Sequence, residues 1–348
     1  MSAAGADTDD DIGVPLSHET TSLFGHGDAE RTLIDAYGTG RVPHAWLIGG
    51  PPGIGKATLA YRFARFVLAH PDPNATEVQS AQTLELPPDH PVARHVAAQA
   101  QCDLLVLERQ INEKTGKLYQ DIRVEDVRRT VSFFGSTAGE GGWRVAIVDS
   151  VDELNDSGAN ALLKILEEPP RRALLLLVSH APGRVLPTIR SRARPLMLRP
   201  LSVENTARAV AQALERNVEE PELRAAANVA DGSVARALTL LEGSALALRQ
   251  RVLDLLGQLP NPDRRALHAL GDAITGTEPQ VLATFLDTVR AWLAEQVSRG
   301  RHESGRLARV AAAWEKINSA GREAQDYNLE RKPLVFAVFG WLAEAARD

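Results

Sequence analysis

Short, mostly apolar runs alternate with longer stretches in which apolar residues recur every three or four positions. The runs Ala45–Ile48, Asp103–Leu107, Trp143–Asp149 and Ala173–Val178 have the length and composition of strands buried on both faces of a sheet. Between them the spacing predicts helices over Asp28–Tyr37, Lys56–Ala69, Val124–Phe134 and Ser157–Glu168. In the second of these, Leu59, Phe63, Phe66 and Val67 share one face. Pro169-Pro170 stops the last, because proline has no N–H to continue the ladder. Strand–helix alternation of this kind predicts an α/β domain, with a parallel sheet covered by helices on both sides.

From about Leu201 onward the strands disappear and only the helical period remains. Residues 201–242 read as a small helical domain, with a turn at Asp231-Gly232-Ser233 before a helix carrying Arg236, Leu238 and Leu241. Residues 243–348 read as a second all-α domain, for example over Val281–Val297, where Leu282, Phe285, Val289, Trp292 and Leu293 recur helically. The α/β domain is bounded at 18–200. Residues 1–17, acidic through Asp7, Asp9, Asp10 and Asp11 and poor in apolar side chains, are expected to be a disordered lead-in. His70–Gln101 carries Pro71, Pro73, Pro87, Pro88 and Pro91 and reads as a loop or insertion over 70–101. A polar hairpin is expected around Lys114-Thr115-Gly116-Lys117.

Composition changes this picture little. The chain has 348 residues, 44% hydrophobic and 24% charged, as ordinary globular domains do, and its net charge of −6 argues against a strong overall positive field for coating DNA. A single cysteine, Cys102, excludes an internal disulfide framework and a Cys-rich zinc site. No apolar run approaches the roughly 20 residues that span a bilayer. The N-terminal residues lack the basic and apolar regions of a secretory signal, so a cytoplasmic location is expected.

The candidate chemistry begins at the end of the first strand. Gly50-Pro51-Pro52-Gly53-Ile54-Gly55-Lys56-Ala57 follows the phosphate-binding pattern G-x-x-x-x-G-K-[ST] except at its last position. Glycines let backbone N–H groups wrap a phosphate, and Lys56 is placed to reach the outer phosphates. Ala57 stands where a hydroxyl would hold Mg²⁺. Thr58 is one residue late, which on a helix turns its hydroxyl about 100° away. Backbone binding of ATP or ADP could survive this; metal-dependent hydrolysis could not, because the metal neutralises developing phosphate charge. A glycine-rich turn without any ligand is the plainer reading.

The strand Val145–Asp149 has the form of a Walker B element, four apolar residues and then a metal-facing carboxylate. Active ATPases of this form follow the Asp with a Glu that polarises water; here Ser150 follows. Asp152 and Glu153 are expected beyond the strand end, pointing elsewhere. Asp149 could equally be a cap or a surface carboxylate. The third feature is Arg190-Ser191-Arg192-Ala193-Arg194. It is either a solvated basic patch or an arginine finger, for which a permanently charged planar fork suits phosphate oxygens.

Four stretches carry a resemblance. They are His44–Leu47 running into the glycine loop, Ile122–Arg128, the helix Asn160–Glu168 ending in Leu-Glu-Glu-Pro-Pro, and Thr188–Arg192. Together, and in this order, they resemble the AAA+ clamp-loader family of bacterial DNA polymerase III, and its delta prime branch most of all. The resemblance covers about residues 20–240. It implies an AAA+ domain, a helical lid at 201–242 and a C-terminal collar at 243–348 that assembles a hetero-oligomeric ring. The partners it implies are the ATPase motor subunit and the delta subunit, with the sliding clamp and primed DNA reached through the complex. By carry-over Arg192 is a finger given in trans, with Ala193 where the family usually has Cys.

The resemblance further implies a stator without activity of its own inside a DNA-directed DNA polymerase III holoenzyme. Nucleotide would not be required, and no zinc is expected, since His70–Cys102 holds one cysteine where many relatives carry a four-cysteine zinc module. The lid's sensor arginine falls at Ala235, with Arg236 one residue late. The alternatives are an active, motor-like ATPase subunit and an unrelated P-loop phosphotransferase, which the Leu-Glu-Glu-Pro-Pro helix disfavours.

Overall fold

The computed structural model describes residues 16–112, 117–119, 121–135, 142–241, 245–275, 279–299, 304–326 and 329–346. The lead-in expected over residues 1–17 thus lies outside the described residues up to residue 15, as does the hairpin tip at 113–116. The chain divides into two compact units, Met1–Leu238 and Thr239–Asp348.

Among the described residues the first unit carries seven strands: β1 Ala45–Gly49, β2 Leu104–Glu108, β3 Ile111–Asn112, β4 Lys117–Leu118, β5 Arg144–Asp149, β6 Ala173–Ser179 and β7 Arg194–Met197. Five form one parallel sheet in the order β2-β5-β6-β1-β7. The antiparallel pair β3–β4 forms the expected hairpin. The described helices of this unit are α1 Gly27–Gly38, α2 Lys56–Ala69, α3 Thr76–Ser80, α4 Pro91–Ala97, α5 Val124–Gly135, α6 Asp156–Glu167, α7 Pro187–Arg190, α8 Val203–Ala213 and α9 Pro221–Val229, and the division between the units falls within α10 Val234–Leu241.

Strand residues alternate between two cores, as a period of two requires. Trp46, Ile48, Val145, Ile147, Leu174, Leu176 and Val178 face α1 and α2, where Leu33, Tyr37, Leu59, Phe63 and Phe66 meet them. Ala45, Leu47, Ala146, Val148, Leu175 and Leu177 face α5 and α6, against Val127, Leu162, Ile165 and Leu166. Central β6 is buried at all seven positions, hence its near-continuous leucine sequence.

Two features go beyond what the apolar pattern showed. The segment 70–101, expected as a loop or insertion, contains α3 and α4: Pro91 opens α4 at a position where its missing N–H costs nothing, and Val78, Leu84 and Val96 are buried in the α2-side core. The sheet also has a strand that the apolar pattern did not show. Edge strand β7, Arg-Pro-Leu-Met, buries only Leu196, and Pro195 is tolerated because an edge position need not donate to a further strand.

Ahead of α1, the chain lies along α2. Arg65 donates to the carbonyls of Thr20, at 2.8 Å, and His18, and Arg62 donates to the Thr21 carbonyl. Arg62 is also paired with Glu30 at 2.8 Å, both side chains being nearly fully buried.

Among the described residues the regular elements wholly within the second unit are helices: α11 Ala245–Leu256, α12 Arg264–Ile274, α13 Pro279–Arg299, α14 Ser304–Asp326 and α15 Arg331–Ala346. Its core gathers Leu255, Leu270, Phe285, Leu286, Val289, Ile317, Val335, Val338 and Phe339. Among the described residues no helix is long and apolar enough to cross a membrane.

Candidate functional site

The glycine loop leaves the C-terminal end of β1, where open α/β sheets place their ligands. Gly55 takes φ +93° at the N-cap of α2, a left-handed conformation that suits glycine, and Lys56 begins the helix. Lys56 is almost completely buried. Its Nζ donates to the carbonyl of Pro51 at 2.6 Å, which uses one of the ammonium's three N–H donors. Burial pushes its pKa down to about 8, partly opposed by the carboxylates of Asp149 and Asp152. Buried His26 donates Nε2–H to the Ile54 carbonyl at 2.7 Å, the tautomer following from the acceptor. Burial lowers the pKa of that imidazole.

The start of α10 sits on this loop. Val234 N–H donates to the Gly53 carbonyl at 2.7 Å. Gly53 has φ +72°, and a Cβ there would fall 2.3 Å from Ser233 Oγ and 2.8 Å from Ala235 Cβ. Ala235, at the lid position where the resemblance calls for arginine, therefore brings a methyl against the loop. Arg236 is paired instead with Asp231 at 2.5 Å.

Asp149 ends β5, half-buried, and its charge acts on Lys56. Ser150 follows, 2% exposed, and Ser179 ends the neighbouring β6, 0% exposed; neither hydroxyl has a hydrogen-bond partner among the described residues. Sequence reasoning missed Ser179, whose one signal is a polar residue closing a leucine run. Asp152 does lie beyond the strand end, as expected, but it does not point elsewhere. The short 3₁₀ turn Val151–Glu153 brings Asp152 back, so that Oδ1 accepts from His180 N–H at 3.0 Å and its charge reaches Lys56. Glu153 turns away to pair with Arg109 at 2.8 Å.

Two groups that a magnesium-bound triphosphate calls on are missing here: half-buried Ala57 offers no hydroxyl to the metal, and Ser150 cannot polarise water as a carboxylate does. Among the described residues no group of three or more His, Cys, Asp or Glu is placed to hold a metal ion, and Cys102 is exposed.

The three arginines of the 190–194 cluster have different surroundings. Arg190 is exposed, and Arg194 lies over the Trp46 ring at 5.0 Å. Arg192 is 36% exposed, its Nη1 donating to Thr188 O at 3.1 Å and Ser191 Oγ at 3.4 Å, its Nη2 paired with Glu167 at 2.9 Å. Ala193 packs into the α6-side core beside Ile189. Register fixes where Arg192 stands. β7 runs parallel to β1 with Arg194 opposite Trp46 and Met197 opposite Gly49. Arg192 therefore precedes the N-terminal edge of the sheet, whereas the glycine loop leaves the opposite edge. With about 3.3 Å per strand residue, the sheet itself separates the two.

A parallel sheet that interposes β6 between the glycine-loop strand β1 and the Asp149 strand β5, followed by a helical segment, defines an AAA+ α/β protein with a helical C-terminal unit. A family model described as "DNA polymerase III, delta subunit" matches residues 25–202, just over half of the chain. The chain belongs to that family. The DNA polymerase III subunit delta' of Pseudomonas aeruginosa is 39% identical over 180 residues, which are 49% of this chain and 50% of that protein. Its counterpart in Escherichia coli K12 is 29% identical over 238 residues, 68% of this chain and 66% of that one. The DNA polymerase III subunit gamma/tau of Mycobacterium tuberculosis H37Rv is 31% identical over 173 residues, 49% of this chain and 27% of the relative. The matches to the two delta' relatives thus span half to two thirds of their length.

Proposed function

We propose that this chain is a non-hydrolysing delta prime subunit of a DNA polymerase III clamp loader. In this reading it completes the ATP site of a neighbouring subunit with Arg192 and helps to load a sliding clamp on primed DNA. The observation that carries the reading is the placement of Arg192 at the sheet edge opposite its own glycine loop. A guanidinium there cannot serve a nucleotide on its own chain, but it is open to one on an adjoining protomer.

The chain's own loop supports the same division of labour. Without a hydroxyl at 57 or a carboxylate at 150, it lacks the groups that hold Mg²⁺ and polarise water. Its partners are then the motor subunit, represented among the relatives by gamma/tau, and the delta subunit, in a hetero-oligomeric ring. Neither bound nucleotide nor zinc is needed for this role, and a cytoplasmic location goes with it.

The test is reconstitution. The isolated chain is expected to hydrolyse no ATP above background, and Arg192→Ala to lower the DNA-stimulated ATPase of the assembled loader. Magnesium-dependent hydrolysis by the isolated chain, lost in Lys56→Ala, would instead make it a motor-like ATPase.

A further inference from the structure

Glu167 is the last residue of α6, fixed there because Leu162, Ile165 and Leu166 bury the helix and Pro169-Pro170 end it. A carboxylate at that end is locally unfavourable. The unsatisfied carbonyls of a helix C-terminus carry partial negative charge and disfavour an anion by about 0.3–1 kcal/mol. Within the helix only Lys164, three residues earlier, offers an opposite charge; the contact the side chain makes is to another element. Glu167 Oε1 meets Nη2 of Arg192 at 2.9 Å.

With Nη1 on Thr188 O and Ser191 Oγ, the guanidinium is held at three points, and the remainder of its five N–H donors are left for a ligand. Glu167 is 51% exposed and Arg192 36%, so the pair is screened by water and holds only weakly. A weak hold is easily exchanged for a doubly charged phosphate. Its effect lies in orientation, because a free arginine side chain has about 2 kcal/mol of rotamer entropy to lose before it aligns.

We propose that Glu167 is the positioning residue of the finger. It sets the Arg192 guanidinium at the sheet edge before a neighbour's nucleotide arrives, and releases Nη2 to the γ-phosphate as the seam closes. This rests on the reading of Arg192 as a finger in trans.

The test uses the reconstituted loader carrying wild-type chain, Glu167→Ala, Glu167→Gln, Arg192→Ala or the double variant, with assembly checked by gel filtration. The finger-dependent rate is the difference between wild type and Arg192→Ala. Glu167→Ala is expected to lower that component of kcat about twofold to fivefold, as a weak exposed pair allows, with KM for ATP changed less than twofold. Glu167→Gln, which keeps an oxygen acceptor, should recover part of it, and the double variant should match Arg192→Ala. A purely structural role would move thermal stability and leave kcat alone.

Unchanged or raised kcat in Glu167→Ala, or a double variant slower than Arg192→Ala, overturns the positioning role while the finger reading stands. Normal turnover in Arg192→Ala overturns both.

Discussion

Val234 donates its N–H to the carbonyl of Gly53 across 2.7 Å, joining the first turn of α10 to the glycine loop. That bond uses a phosphate-loop carbonyl to seat a helix. Ser233 and Ala235 crowd the space a Cβ at Gly53 would take, so the glycine is needed there for close approach as well as for its φ of +72°.

Gly53→Ala is accordingly expected to destabilise the first unit by about 1–3 kcal/mol, combining left-handed strain with the lost contact. Amide hydrogen exchange should quicken first at Val234–Leu238. Unaltered protection of these amides would mean that α10 is held by other contacts.

The buried ammonium of Lys56 makes a pH-dependent prediction. Its pKa is about 8 in the folded chain, against 10.5 for a lysine in water. Between these values the unfolded chain holds the proton that the folded chain has shed, so the lysine's contribution to stability rises with pH. Relative to Lys56→Met, the wild type should gain roughly 2 kcal/mol between pH 7 and pH 10. Urea unfolding of both proteins at the two pH values measures this. Parallel pH profiles would place the ammonium in water.

Buried Glu30 and Arg62 predict a large local cost. Glu30→Gln leaves the Arg62 guanidinium, which also holds the Thr21 carbonyl, without its counter-charge. Breaking such a pair from one side costs about 3–5 kcal/mol. The midpoint of urea unfolding should drop accordingly; a loss under about 1 kcal/mol would show the pair to be hydrated.

Restoring a single missing group should not restore chemistry. Ala57→Thr returns the hydroxyl, yet Ser150 still cannot polarise water. ATP hydrolysis by the isolated variant is expected to remain at background in a phosphate-release assay.

Much of this architecture was legible from residue order alone. Lys56–Ala69 is a helix with the bounds its period implied, because Gly55 marks its start and the apolar face is regular. β6 was legible because burial on both faces demands an unbroken apolar run. β7 was not, since an edge strand needs little apolar surface and tolerates Pro195. Likewise α4 hid among prolines that break most helices yet open this one. Side-chain partnerships were least legible: Asp152 returns to the site through a turn of three residues, and Glu167 meets Arg192 across 25 positions of sequence. Such contacts depend on how the elements pack, which local pattern does not encode.

The central claim is that Arg192 acts on a nucleotide held by another protomer, and the DNA-stimulated ATPase of the reconstituted loader tests it most directly. A finger in trans contributes about 10³–10⁵ in rate at the site it serves. Replacing wild-type chain with Arg192→Ala should therefore abolish that site's share of turnover while the ring still assembles. Full turnover from an intact ring containing Arg192→Ala would contradict the account.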